Sequence, residues 1–122
     1  MADWNEGYVH DITYTHGFYR ELTPALLKFG LTLAGFESPA IDRSFNYCEL
    51  GSGQGVSANI LAAANPSGQF WATDFNPSHA AGATQLAAAG GVGNLRCLDK
   101  SFQEFLSADT PQFDYITLHG IY

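Results

Sequence analysis

Three glycines follow an acidic residue in the segment Glu49-Leu50-Gly51-Ser52-Gly53-Gln54-Gly55-Val56. Glycine allows positive φ angles and lets a ligand approach the main chain where a Cβ would collide, and a helix that starts nearby offers unpaired N–H donors. Between a strand and a helix, such a turn can bind the polar end of a nucleotide-like ligand. The alternative is a tight turn that serves packing only.

The spacing of these glycines narrows the choice of ligand. The dinucleotide fingerprint G-x-G-x-x-G is not met, because the third glycine is at 55 and position 56 is Val, and no Lys follows as a phosphate loop requires. A carboxylate, Asp74, comes about 20 residues after the glycines, where an acid reaches the ribose hydroxyls in a βαβ unit. Asp74 could also cap the helix after it, and the two roles are compatible.

The elements around these residues alternate between β-rich and Ala-rich runs. An amphipathic helix is predicted over about 23–34, with Thr23 as N-cap, Pro24 in its first turn and Gly35 after its end. Beyond it, strands and helices alternate over Phe45–Leu50, Val56–Ala64, Gln69–Thr73, His79–Ala89, Leu95–Leu98, Phe102–Leu106 and Phe113–Leu118. Crossover helices between strands require parallel pairing, and strands apolar on both faces indicate a sheet covered on both sides.

An acid two positions before G-x-G-x-G resembles motif I of the class I S-adenosylmethionine-dependent methyltransferases. The resemblance continues through Ala72-Thr73-Asp74-Phe75-Asn76-Pro77, Leu98-Asp99-Lys100-Ser101-Phe102 and the strand Phe113–Leu118 with His119-Gly120, and covers about residues 45–122. It implies a three-layer α/β/α Rossmann-like fold whose first four parallel strands have the order 3-2-1-4, preceded by an N-terminal helical arm. The domains expected are 1–40 for arm and helix and 41–122 for the cofactor-binding domain.

The resemblance also implies roles for individual residues. Glu49 would anchor the methionyl amino group of S-adenosylmethionine, Asp74 would accept from the ribose hydroxyls, and Phe75 would pack on the adenine. Asp99 would take the adenine amino group, and the end of the fourth strand would face the methyl donor and acceptor. His119, which stands there, could be an acceptor-side group or a general base. The other expected cofactor-binding residues are Gly51, Ser52, Gly53, Gly55, Asn76, Ser101 and Phe102.

The implied activity is transfer of a methyl group to an acceptor that the sequence does not identify. Two other functions stay open: a nicotinamide-dependent oxidoreductase, which the glycine spacing disfavours, and a non-catalytic partner or regulatory module of the same fold. A complete domain of the family has seven strands, whereas this chain stops after the fourth. We therefore expect a fragment of a longer protein, or a chain that pairs with another copy or partner across the fourth strand.

Composition limits the partners further. Five basic against twelve acidic residues give a net charge of −7, which disfavours nucleic acid. No apolar run approaches membrane-spanning length and no secretory signal is present, so a cytoplasmic protein is expected.

Several residues have an equally simple structural interpretation. Asp99 reads as an ordinary turn residue, and a lone His119 is more often hydrogen-bonded structure than a catalyst. For His10, His16 and His79 the spacing indicates no role, and no metal site is expected. Cys48 and Cys97 fall on the first and third strands, which the second strand would separate, so no disulfide is expected between them.

Overall fold

The computed structural model describes residues 16–121. After a short 3₁₀ helix at Arg20–Leu22, the elements are α1 (Pro24–Leu33), β1 (Phe45–Leu50), α2 (Val56–Ala64), β2 (Gly68–Thr73), α3 (Pro77–Gly90), β3 (Leu95–Leu98), α4 (Phe102–Leu106) and β4 (Tyr115–Leu118). Most of the expected arm, including His10, lies outside the described residues. Within 16–121, no helix is long and apolar enough to cross a membrane.

The four strands form one parallel sheet in the order β3-β2-β1-β4, as predicted. In the register of β1, Tyr47 lies opposite Phe70 of β2 and Tyr115 of β4. Because all strands run the same way, their carboxyl ends meet at one edge of the sheet, where ligands of open α/β sheets bind.

Aromatic rings fill the core on the face of the sheet that α2 covers. Tyr47 is fully buried, with ring centroids 4.7 Å from Phe70 and 6.4 Å from Tyr115. The Tyr47 hydroxyl donates to the carbonyl of buried Leu22 at 2.7 Å and accepts from the Thr117 hydroxyl at 2.9 Å. The polar atom of this buried ring is thus satisfied, and it joins the segment before α1 to the sheet.

The opposite face is covered only in part, which differs from the expectation of strands covered on both sides. Phe105 of α4 stacks on Phe113 at 6.1 Å, and Phe113 meets the edge of Trp71. On β4, however, Ile116 is 63% and Leu118 50% exposed, because α4 is a single short helix that does not extend over them.

β2 begins one residue earlier and β4 two residues later than predicted, and local chemistry explains the different start of α3. α3 begins at Pro77 rather than His79, because the Asn76 side chain caps it by accepting from the Ser78 N–H at 3.0 Å and proline fits a first turn. Thr23 is the N-cap of α1, as predicted, but its side chain makes no capping hydrogen bond. Gly35 takes the expected positive φ of 83° after α1.

Both cysteines are free, as expected. β2 lies between their strands, and burial raises the pKa of Cys48 to about 12 and that of Cys97 to about 11. Neither thiol is therefore ionised near neutral pH.

Candidate functional site

A cavity opens at the carboxyl edge of the sheet, above the glycine turn. It encloses about 1020 Å³, including space open to solvent at its mouth. Its lining comes from the ends of β1, β2, β3 and β4, from the first turns of α2, α3 and α4, and from the segment before α1: Gly17, Tyr19, Glu49, Gly51, Ser52, Gly53, Gln54, Gly55, Val56, Ser57, Asp74, Phe75, Asn76, His79, Lys100, Ser101, Phe102, His119, Gly120 and Ile121.

The glycine turn has the backbone conformation that its composition predicts. Gly51, Gly53 and Gly55 have φ angles of 71°, 56° and 74°. The N–H groups of Gly51 and Ser52 both donate to the carbonyl of Thr73, at 2.8 and 3.1 Å. The turn is therefore fixed to the end of β2 by main-chain hydrogen bonds.

The three glycines face different surroundings. A Cβ at Gly53 would meet nothing within 4 Å, whereas one at Gly51 would lie 2.5 Å from Cδ1 of Ile121. A Cβ at Gly55 would collide with Ala83 of α3. Only at Gly53 is the bare main chain open to a ligand; at Gly55 the missing side chain lets two helices approach each other.

Glu49 is a buried acid at the base of the cavity. Its side chain is 3% exposed, and its Oε2 has no hydrogen-bond partner among residues 16–121. Burial, and next the Asp74 carboxylate, raises the pKa of Glu49 to about 8. A buried carboxyl group with an unused oxygen is suited to bind a cationic or hydrogen-bond-donating group.

Asp74 connects the glycine turn to the start of α3. Its Oδ2 accepts from the Gly53 N–H and its Oδ1 from the Asn76 N–H, both at 2.9 Å. The N-cap of α3 is Asn76, so the expected alternative that Asp74 caps this helix is wrong. Since each carboxylate oxygen can accept two hydrogen bonds, Asp74 keeps acceptor capacity toward the cavity.

The residues expected around an adenine ring lie in two groups. Phe75, Ser101 and Phe102 line the cavity, and Ser101 also caps α4 through a reciprocal pair of hydrogen bonds with Glu104. Asp99 is exposed and does not line the cavity; Lys100 takes that place on the wall.

The mouth of the cavity is formed by residues from opposite ends of the described chain. The His119 ring stacks on Tyr19 with centroids 3.9 Å apart and an interplanar angle of 23°. The Ser57 hydroxyl accepts from the Tyr19 N–H at 2.9 Å and donates to the Gly17 carbonyl at 3.3 Å. Residues 17–19 are thereby held across the first turn of α2, and His119 lies at the rim beside them.

The structure adds cavity residues that the sequence analysis did not assign. Gln54, Val56 and Gly120 belong to the motifs already described, and Ile121 follows directly after Gly120, so assigning each whole motif to the site would have found all but Ile121. Gly17, Tyr19, Ser57, His79 and Lys100 also line the cavity. For His79, a signal was present in its position five residues after Asp74, which a helix start brings back toward the strand end.

No protein-family model matches the chain. An uncharacterized protein of Synechocystis sp. (strain ATCC 27184 / PCC 6803 / Kazusa) is 52% identical over 119 residues. That match covers 98% of this chain, which spans 24% of the relative's length.

Solved structures share the fold at low sequence identity. PKMT2 from Rickettsia typhi in complex with AdoHcy superposes with a TM-score of 0.81 at 21% identity, over 88% of this chain and 21% of that chain. M. capricolum TrmK in complex with S-adenosyl-homocysteine gives 0.56 at 20%, over 63% and 35%. Coclaurine N-methyltransferase bound to N-methylheliamine and SAH gives 0.54 at 15%, over 77% and 26%. With its parallel strand order and its glycine turn after β1, the described chain has the fold of the class I S-adenosylmethionine-dependent methyltransferases.

Proposed function

We propose that this chain binds S-adenosylmethionine and forms the cofactor-binding part of a methyltransferase. The observation that carries the proposal is Glu49, a buried carboxyl group whose Oε2 has no hydrogen-bond partner among residues 16–121, on the wall of the cavity at the glycine turn. A buried polar atom without a partner costs free energy, so a fold that keeps one at a cavity wall favours a ligand that supplies the missing donor. The methionyl ammonium group of the cofactor is such a donor.

The other walls suit the remaining parts of the same ligand. Asp74 retains acceptor capacity for ribose hydroxyls, and Phe75 and Phe102 offer apolar surface for a purine ring. Gly53 leaves its main chain open, so a ligand can lie against the turn without meeting a Cβ. One cavity thus offers three kinds of group: an acceptor for a cation, an acceptor for the hydroxyls of a diol, and an apolar wall for a base.

When bound, S-adenosylmethionine supplies a sulfonium methyl group that passes to an acceptor nucleophile as the carbon–sulfur bond breaks and the sulfur becomes neutral. The chain's own contribution would be positioning, since an in-line transfer gains mainly from holding two reactants in line. His119 at the rim stays our candidate for a group on the acceptor side, and its catalytic role is a prediction.

Isothermal titration calorimetry of the intact chain tests the proposal. S-adenosylhomocysteine should bind, NAD should not, and Glu49→Gln should weaken binding because it removes the carboxylate that the ammonium group needs. Binding of NAD but not of S-adenosylhomocysteine would support the oxidoreductase instead. If neither ligand binds to a chain that is folded by circular dichroism, the proposal is wrong.

A further inference from the structure

His79 is a buried polar side chain in a helix face otherwise made of alanine. The buried residues of α3 are His79, Ala80, Ala83 and Ala87, and His79 is 2% exposed. An apolar side chain at this position would pack without the cost of desolvating an imidazole. The imidazole therefore needs an explanation beyond filling space.

The imidazole lies against the carboxylate that the proposed function assigns to the ribose. His79 Nδ1 is 3.4 Å from Asp74 Oδ1, an ion-pair distance longer than a usual hydrogen bond. Such contacts in ligand-free sites are often long and shorten in the complex. Both side chains line the cavity, so a group bound to Asp74 would lie within the influence of His79.

The main-chain hydrogen bonds of Asp74 do not by themselves fix the orientation of its carboxylate. The N–H groups of Gly53 and Asn76 each take one acceptor position of the carboxylate. Rotation about χ2 of an aspartate is broad and close to two-fold, so two hydrogen bonds, one to each oxygen, leave the carboxylate some freedom. A third contact, from the imidazole of His79 in the first turn of α3, limits that rotation.

We propose that His79 is a positioning residue: its imidazole occupies the second acceptor position of Asp74 Oδ1, so that the carboxylate presents the remaining acceptor position of Oδ2 to a hydroxyl of a bound ribose. This inference rests on the proposed function, since it names the part of the ligand on which His79 acts. It predicts that His79 matters for ligands that carry the ribose diol and not for ligands without it.

The test is a cycle that crosses variants with two ligands, S-adenosylhomocysteine and its 2′,3′-dideoxy analogue. His79→Leu removes the ring nitrogen at similar volume, His79→Asn keeps a nitrogen near the Nδ1 position, and His79→Gln moves it outward. We expect His79→Leu to weaken binding of S-adenosylhomocysteine about tenfold and binding of the dideoxy analogue less than about twofold. His79→Asn should stay within about threefold of the wild type, and His79→Gln should resemble His79→Leu. Thermal unfolding of each variant shows whether it is folded.

The outcomes separate this inference from the function on which it rests. If the wild type fails to bind S-adenosylhomocysteine, the proposed function is wrong and the inference falls with it. If the wild type binds but His79→Leu loses the same factor for both ligands, or loses none, His79 has only a structural role or no role. Should His79→Leu fail to fold, the Asn and Gln variants decide: equal affinities for S-adenosylhomocysteine would overturn the inference.

Discussion

Ligand binding at Glu49 should release a proton, because the carboxyl group is neutral before the ligand arrives and charged afterwards. With a pKa of about 8, roughly nine-tenths of the Glu49 side chains carry a proton at pH 7. An ammonium group beside the carboxyl group favours its ionised form. Binding of S-adenosylhomocysteine at pH 7 should therefore release about 0.9 proton per site.

The same linkage sets the pH dependence of the affinity. Between pH 6 and 7 the ionised fraction of Glu49 rises about tenfold, while the ligand's amino group, which is that of a free amino acid, stays protonated. The affinity should therefore rise by about tenfold over this unit of pH. Gln at this position cannot ionise, so Glu49→Gln should bind more weakly and show neither trend.

Calorimetry in buffers of different ionisation enthalpy measures the released protons from the slope of the observed enthalpy. The difference in released protons between the wild type and Glu49→Gln isolates the contribution of Glu49, because the rest of the cavity wall is the same in both proteins. Binding without proton release by the wild type, or equal release by both proteins, would refute the assignment of Glu49 to the ammonium group.

Four further outcomes follow from the structure. Between pH 4.5 and about 8, only the folded state keeps the Glu49 proton, so the contribution of Glu49 to the free energy of unfolding should fall as the pH rises, by up to about 1.4 kcal/mol per pH unit. Chemical denaturation of the wild type and of Glu49→Gln at several pH values measures this fall. Gly53→Ala should cost about 1 kcal/mol of stability through its positive φ alone. Gly55→Ala should cost about 1–3 kcal/mol more, because its Cβ also collides with Ala83 of α3, and equal costs for the two variants would contradict this difference. Asp74→Ala should weaken S-adenosylhomocysteine binding and also lower stability by about 1–3 kcal/mol, because two N–H groups lose their acceptor; a change in binding with unchanged denaturation would argue against the structural part. Ile116→Lys should alter the free energy of unfolding by less than about 0.5 kcal/mol and should reduce any self-association through the edge of β4. A loss above about 2 kcal/mol would count against an open edge, as would a wild type that associates in light scattering and a variant that associates equally.

The elements of the fold could be predicted closely because local chemistry marks their ends. β1, α2, β3 and α4 have the expected bounds, and Gly35 and Gly91 end helices with positive φ. The strand order needed the resemblance as well, since crossover helices require parallel strands but leave their order open.

The candidate site was predictable only where one motif supplies the residue. Glu49 and Asp74 lie at strand ends and Phe102 begins the helix after β3, and the strand ends of a parallel sheet meet at one edge. The contact of Ile121 with Gly51 joins positions 70 residues apart, which no local pattern encodes. Asp99 shows the opposite case: after β3 this acid is exposed and does not line the cavity, whereas its neighbour Lys100 does.

The stacked pair at the mouth of the cavity joins chain positions 100 residues apart in sequence, Tyr19 and His119. Contacts between such distant positions form slowly, because the entropy of closing a long loop is lost before the contact contributes any favourable free energy. The ring of Tyr19 gains its partner only after β4 has joined the sheet beside β1. We therefore expect the Tyr47–Phe70 pair, which joins β1 and β2 alone, to assemble before the rim closes.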